Sequence, residues 1–244
     1  MQVPKKKEVI ETDSGSLHLP LLEESLEYEK LHVKPSWRGW IHLATLPIAI
    51  VLGIVLIALA DGVAAIVTST IFAVSSWLLF GISGTYHKFN WKPSTKVVLQ
   101  RLDHSNIFLL IAGTYTPIAW LALPSDKAIT LLSIIWGVTI VGIGVRMLWI
   151  NSPRWLYVPI YIGLGWAAVM YVNELFAANI AMMILVVAGG LLYSLGAVVY
   201  ATKWPNPSTK HFGFHEIFHV FTVLAFMSHW AAVLLIAMNP PVVG

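Results

Sequence analysis

Residues 40–60 read WIHLATLPIAIVLGIVLIALA, 21 consecutive positions with one ionisable side chain, His42. About 20 such residues are what a helix needs to cross roughly 30 Å of hydrocarbon. The pattern then repeats along the chain. Further apolar runs of comparable length occupy about 63–86, 106–123, 128–148, 155–176, 179–201 and 213–237. Short breaks with turn chemistry separate them: Asp61-Gly62, Pro124-Ser125-Asp126, Asn151-Ser152-Pro153 and Trp204-Pro205-Asn206-Pro207. Tryptophans gather at the run ends, among them Trp37, Trp40, Trp91, Trp149, Trp155 and Trp204, where an amphipathic ring prefers the headgroup zone. The expected fold is all-α, a seven-transmembrane helix bundle over residues 40–238.

The composition of the 244 residues agrees. Hydrophobic residues make up 57% and charged residues 11%, about half the charge of a soluble domain, which argues against a water-soluble enzyme. The small net charge of +3 leaves no nucleic-acid footprint. There is no cysteine, so disulfides, thiolate metal ligands and a cysteine nucleophile are excluded together. Any metal must sit on His, Asp or Glu. Residues 1–39 read as a polar N-terminal tail, with a short interfacial segment at Tyr28 to Gly39 and no signal-peptide core; residues 239–244 read as a C-terminal tail. Fourteen of the fifteen Lys and Arg fall in the tail and alternate loops, and only Lys127 lies opposite. By the positive-inside rule the N-terminus faces the cytoplasm and the C-terminus the outside.

In so apolar a chain, ionisable residues in or beside the runs carry the information, because each is costly in lipid unless it pairs or works. His215 and His219 are four apart, one helical turn, which places both rings on one face. That spacing suits two ligands of one zinc ion, and a third imidazole from His87 would leave the fourth position open, as in a catalytic site. The same residues also read as headgroup-level polar groups, with Asp103 a helix N-cap and the histidines bonding between helices. From spacing alone that second reading is the stronger. Ser83 lies one turn deeper than His87, where its hydroxyl could hold water or substrate, or bond its own backbone. His215-Glu216-Ile217-Phe218-His219 matches the H-E-x-x-H protease pattern, but the extension that completes it is absent. His229 is about 15 Å further along a helix, too far to share an ion, and reads as a buried polar contact. His42 and Glu174 read as interfacial residues, and Arg146 as a snorkelling one.

Taken jointly, these residues sit in a set of longer motifs: Ser83-Gly-Thr-Tyr-His87, Leu102-Asp103-His104-Ser105-Asn106-Ile107, Ala112-Gly-Thr-Tyr-Thr-Pro117, Gly189-Gly190-Leu-Leu-Tyr193-Ser-Leu-Gly196, and His215-Glu-Ile-Phe-His219 followed by His229. The chain resembles the haemolysin III proteins over about residues 35–238. These are the bacterial branch of the progestin and adipoQ receptor family, related to adiponectin receptors and more distantly to alkaline ceramidases. The resemblance implies an intramembrane zinc near the cytoplasmic face of a bacterial inner membrane, with His87, His215 and His219 as ligands. It also implies that Asp103 holds the water on the zinc and that Ser83 sits beside it. His104 stands where the receptor branch has Tyr, and Glu216 where relatives have Gln, which argues against Glu216 as an essential base.

The expected function is hydrolysis of a lipid amide or ester bond, with zinc as cofactor, Asp103 and Ser83 as catalytic residues, and membrane lipids, including an acyl-chain substrate, as partners. The alternative is a non-enzymatic homeostasis or signalling protein with structural zinc. A pore-forming cytolysin ranks last, because seven continuous apolar runs line no obvious aqueous channel.

Overall fold

The computed structural model describes residues 35–149 and 153–241. Most of the N-terminal tail and interfacial segment, and the end of the C-terminal tail, therefore lie outside the described residues. Eight α-helices make up the described chain: α1 (Trp40–Leu59), α2 (Val63–Lys88), α3 (Pro93–Ala122), α4 (Ser125–Leu148), α5 (Arg154–Gly165), α6 (Val172–Ala178), α7 (Ile180–Thr202) and α8 (Phe214–Met238). Seven segments are long and apolar enough to cross a membrane, the fifth being Leu156–Ala178, which joins α5 to α6 through a 3₁₀ turn at Ala167–Tyr171. The chain is a multi-pass, seven-helix membrane protein.

The helices are not equivalent. In α3, 78% of the apolar window is buried inside the protein, against 22–28% in the first, fourth, fifth and sixth spans. Helix α3 is the central post, packed by α2, α4 and α8, while α7 pairs with α8 and α8 returns to α1. Lipid never sees most of α3, so it can carry polar groups that a peripheral helix could not. Thr114 and Thr116 donate to the carbonyls of Leu110 and Ala112, and Asn106 reaches the Leu78 carbonyl of α2 at 3.2 Å. The peripheral helices instead turn Val51, Ile54, Ile140 and Leu148 outward.

Lipid tails are as apolar as leucine, so burial alone does not drive helices together in a bilayer; packing and interhelical hydrogen bonds do, at about 0.6 kcal/mol per bond. Phe72, Phe80, Phe108 and Phe226 fill the core. Trp77 of α2 and Trp230 of α8 each donate an indole N–H to an α1 carbonyl, Ala49 and Leu52, both at 2.9 Å. Ser228 ties α8 to the Leu185 carbonyl of α7 at 2.8 Å.

Two expectations change. Helix α3 begins at Pro93, a residue suited to a first helical turn, thirteen residues before the apolar run. Asp103 is therefore mid-helix, and the N-cap reading of it is wrong. The fifth span is also not continuous. A helix interrupted inside a membrane frees backbone groups that water cannot satisfy, and here one side chain serves both sides of the break: the Tyr115 hydroxyl donates to the Gly165 carbonyl at 2.7 Å and accepts from the Ala168 N–H at 2.9 Å.

Candidate metal centre

The end of α2 and the start of α8 meet α3 at one end of the bundle. His87 lies in the last turn of α2, His215 and His219 in the first two turns of α8, and Asp103 on α3 beside them. One ligand atom from each of the three imidazoles lies within 4.8 Å of the other two. The Nε2 atoms of His87 and His215 are 3.3 Å apart. Tetrahedral zinc with Zn–N distances of about 2.0–2.1 Å separates neighbouring nitrogens by about 3.3–3.4 Å, so the His87–His215 pair has that spacing, and three imidazoles are a donor set of suitable chemistry. An Asp103 carboxylate oxygen stands 3.5 Å from His87 Nε2. Ser83 is buried and borders the same cavity as Asp103, His215 and His219.

The sequence motif H-E-x-x-H is present, but its glutamate is engaged elsewhere. One Glu216 oxygen accepts from the Gly213 N–H at 2.8 Å, satisfying a free donor at the start of α8, and the other accepts from Arg38 Nε at 2.6 Å. Glu216 is wholly buried in this role. Its job is to start α8 in the register that turns His215 and His219 inward, and to fasten α8 to the turn before α1.

Two other polar residues, His42 and Arg146, depart from expectation. His42 is not interfacial: it is 2% exposed and stacks on His219 with ring centroids 3.8 Å apart. A methyl group at Gly84 would meet the Leu43 backbone nitrogen at 2.9 Å, so the glycine is what lets α1 pack closely on α2 beside His42. As the lone ionisable group in the first apolar run, at the depth of His87, His42 carried the signal that could have placed it. Arg146 does not snorkel either. It is 2% exposed, with its guanidinium 4.5 Å from the Tyr157 ring centre. Glu174 is paired, through Lys127 at the other end of the bundle. His229 is a buried contact to the Val186 carbonyl at 3.1 Å, remote from the triad.

From the triad a cavity of about 130 Å³ runs between α3, α5, α7 and α8 toward His229, with mostly apolar walls such as Ile107, Ile111 and Phe218. The site therefore has a polar end and an apolar barrel.

Comparison with known proteins adds three findings. Residues 31–230 match the family model described as haemolysin-III related. The chain is 37% identical over 139 residues to a hemolysin-3 homolog of Bacillus subtilis (strain 168), an alignment covering 57% of this chain and 65% of that one. It is 33% identical over 160 residues to hemolysin-3 of Bacillus cereus, covering 65% and 70% of the two chains. The alignment thus spans just under two thirds of the first relative's length. A seven-helix bundle whose histidine triad comes from the second and seventh spans, matched by the family model over most of its length, belongs to the haemolysin-III-related family.

Proposed function

We propose that this protein is a zinc-dependent hydrolase of lipid amide or ester bonds in the bacterial cytoplasmic membrane, with its N-terminus inside. The observation that carries the reading is the juxtaposition of a three-imidazole cluster, a carboxylate at 3.5 Å and an apolar cavity that continues away from them. A structural metal would need a fourth protein ligand. Asp103 stands outside the set of ligand atoms that lie within 4.8 Å of one another, so we assign it the water rather than the fourth coordination position, and Ser83 borders the same cavity.

Zinc, when bound by His87, His215 and His219, would supply Lewis acidity to polarise a carbonyl and acidify water. The chain's own groups supply the rest. The cavity holds the acyl chain and excludes bulk water. Asp103 accepts the proton of the attacking water and returns it to the leaving amine or alcohol as the C–N or C–O bond breaks, so the step is balanced by one water consumed. The Ser83 hydroxyl donates to the carbonyl oxygen as charge develops on it.

The test is turnover of ceramide, lysolipid and native membrane lipid by purified protein beside Asp103→Asn. The variant keeps a hydrogen-bonding side chain of similar size, so it should retain zinc and lose about 10²-fold or more of the rate. Absence of turnover on all three, with Asp103→Asn still complementing a deletion strain, would replace the hydrolase with a signalling or homeostasis protein whose zinc is a strut.

A further inference from the structure

The cavity does not end in hydrocarbon. At its far end stand His229 of α8 and Tyr193 of α7, ring centroids 5.4 Å apart and both bordering the cavity. His229 is 9% exposed. Its Nε2 faces the Val186 carbonyl at 3.1 Å, and a carbonyl can only accept, so that nitrogen carries the proton. Nδ1 of the neutral ring is then a bare acceptor. It has no hydrogen-bond partner among the described residues, and neither has the buried hydroxyl of Tyr193. Neighbouring Ser194 is different: it donates to the Gly190 carbonyl and accepts from the Trp166 indole, so its bonds are made.

This arrangement is held in place. A Cβ at Gly189 would come within 2.2 Å of the His229 ring, so α7 leaves that imidazole its room by carrying no side chain there. An unpaired polar atom away from water is costly, and two of them at the far end of an apolar cavity select for something that fills both needs. Nδ1 requires a donor, while the phenol can give or take. A hydroxyl group does both, and neither residue brings a charge that would call for an ion. The ten residues from His219 to His229 advance about 15 Å along the helix, close to the reach of an extended chain of about twelve carbons with bonds near 1.5 Å.

We propose that His229 and Tyr193 form a second polar subsite that receives a hydroxyl group carried on the chain of an amphiphile whose polar head lies at the histidine triad. The inference rests on the triad end being the place of the head, and it selects hydroxylated chains over plain ones.

Binding of laurate and of ω-hydroxylaurate to the purified, zinc-loaded protein in lipid nanodiscs tests it. The hydroxylated probe should bind about tenfold tighter, the worth of a buried hydroxyl with both partners. Tyr193→Phe removes only an unpartnered hydroxyl, so the variant should fold and bind laurate like the parent while losing most of the preference. His229→Phe should lose it too. Equal affinity for the two probes, binding of neither, or a preference that survives in Tyr193→Phe overturns the subsite. None of these outcomes depends on turnover, so a failed hydrolase and a failed subsite give different results.

Discussion

The start and the middle of α8 use the same side chain to opposite effect. At its start, His215 and His219 face another imidazole across 3.3 Å and a carboxylate beyond it. At its middle, His229 faces a backbone carbonyl of α7. Imidazole nitrogens turned toward one another need a cation or a shared proton between them, whereas a nitrogen turned toward a carbonyl has its proton fixed by the acceptor. The identity of the residue does not set its chemistry. What the facing helix offers does: α2 ends in His87 where α8 begins, and α7 presents glycine and an open carbonyl where α8 passes it.

The sharpest way to break this comparison concerns which end is which. Asn90→Cys and Ser125→Cys in this cysteine-free chain should react with an impermeant thiol reagent all or none, Asn90→Cys only from the cytoplasmic side and Ser125→Cys only from outside. External labelling of Asn90→Cys would put the triad at the outer surface. Next in size is the metal. Wild-type protein should carry about one zinc per chain, and His219→Ala should weaken zinc more than about 100-fold and lower the melting temperature, read by elemental analysis and thermal unfolding. Tyr193→Phe, at the other end, should leave zinc unchanged.

Gly189→Ala should cost about 1–3 kcal/mol through overpacking against His229, with full zinc content. Thermal unfolding and metal analysis of the same sample would separate the two ends; loss of zinc would mean that they are coupled. The smallest effect on turnover belongs to Glu216→Gln. An amide has one acceptor oxygen, so its NH2 must face either the Gly213 N–H or Arg38, donor against donor; the stability loss should be about 1–3 kcal/mol, with lipid turnover within about twofold. A general base in that position would instead cost about 10²-fold or more, and such a drop would restore the protease-like reading of the motif.

The sequence by itself determined the bundle. Spans of about 20 apolar residues have one solution in a bilayer, because backbone groups there must be satisfied within the segment. The helical period likewise put His215 and His219 on one face whatever surrounds them, and the joint motif named His87 and Asp103 as their companions. The tertiary structure decided what depends on a neighbour. Hydropathy reports transfer to lipid and is silent where a helix runs on past its apolar stretch into polar, partly exposed residues, as α3 does over its first thirteen positions with Asp103 mid-helix. Position along one helix does not reveal what packs across from it. His42 was therefore legible as an oddity and not as a partner of His219, and Arg146 as a charge and not as a group buried against Tyr157. Glu216 matched a catalytic pattern in one dimension; in three, Arg38 and the Gly213 N–H already hold both its oxygens. The break in the fifth span needed Tyr115, fifty residues away in the chain, and such a bond exists only once α3 stands at the centre.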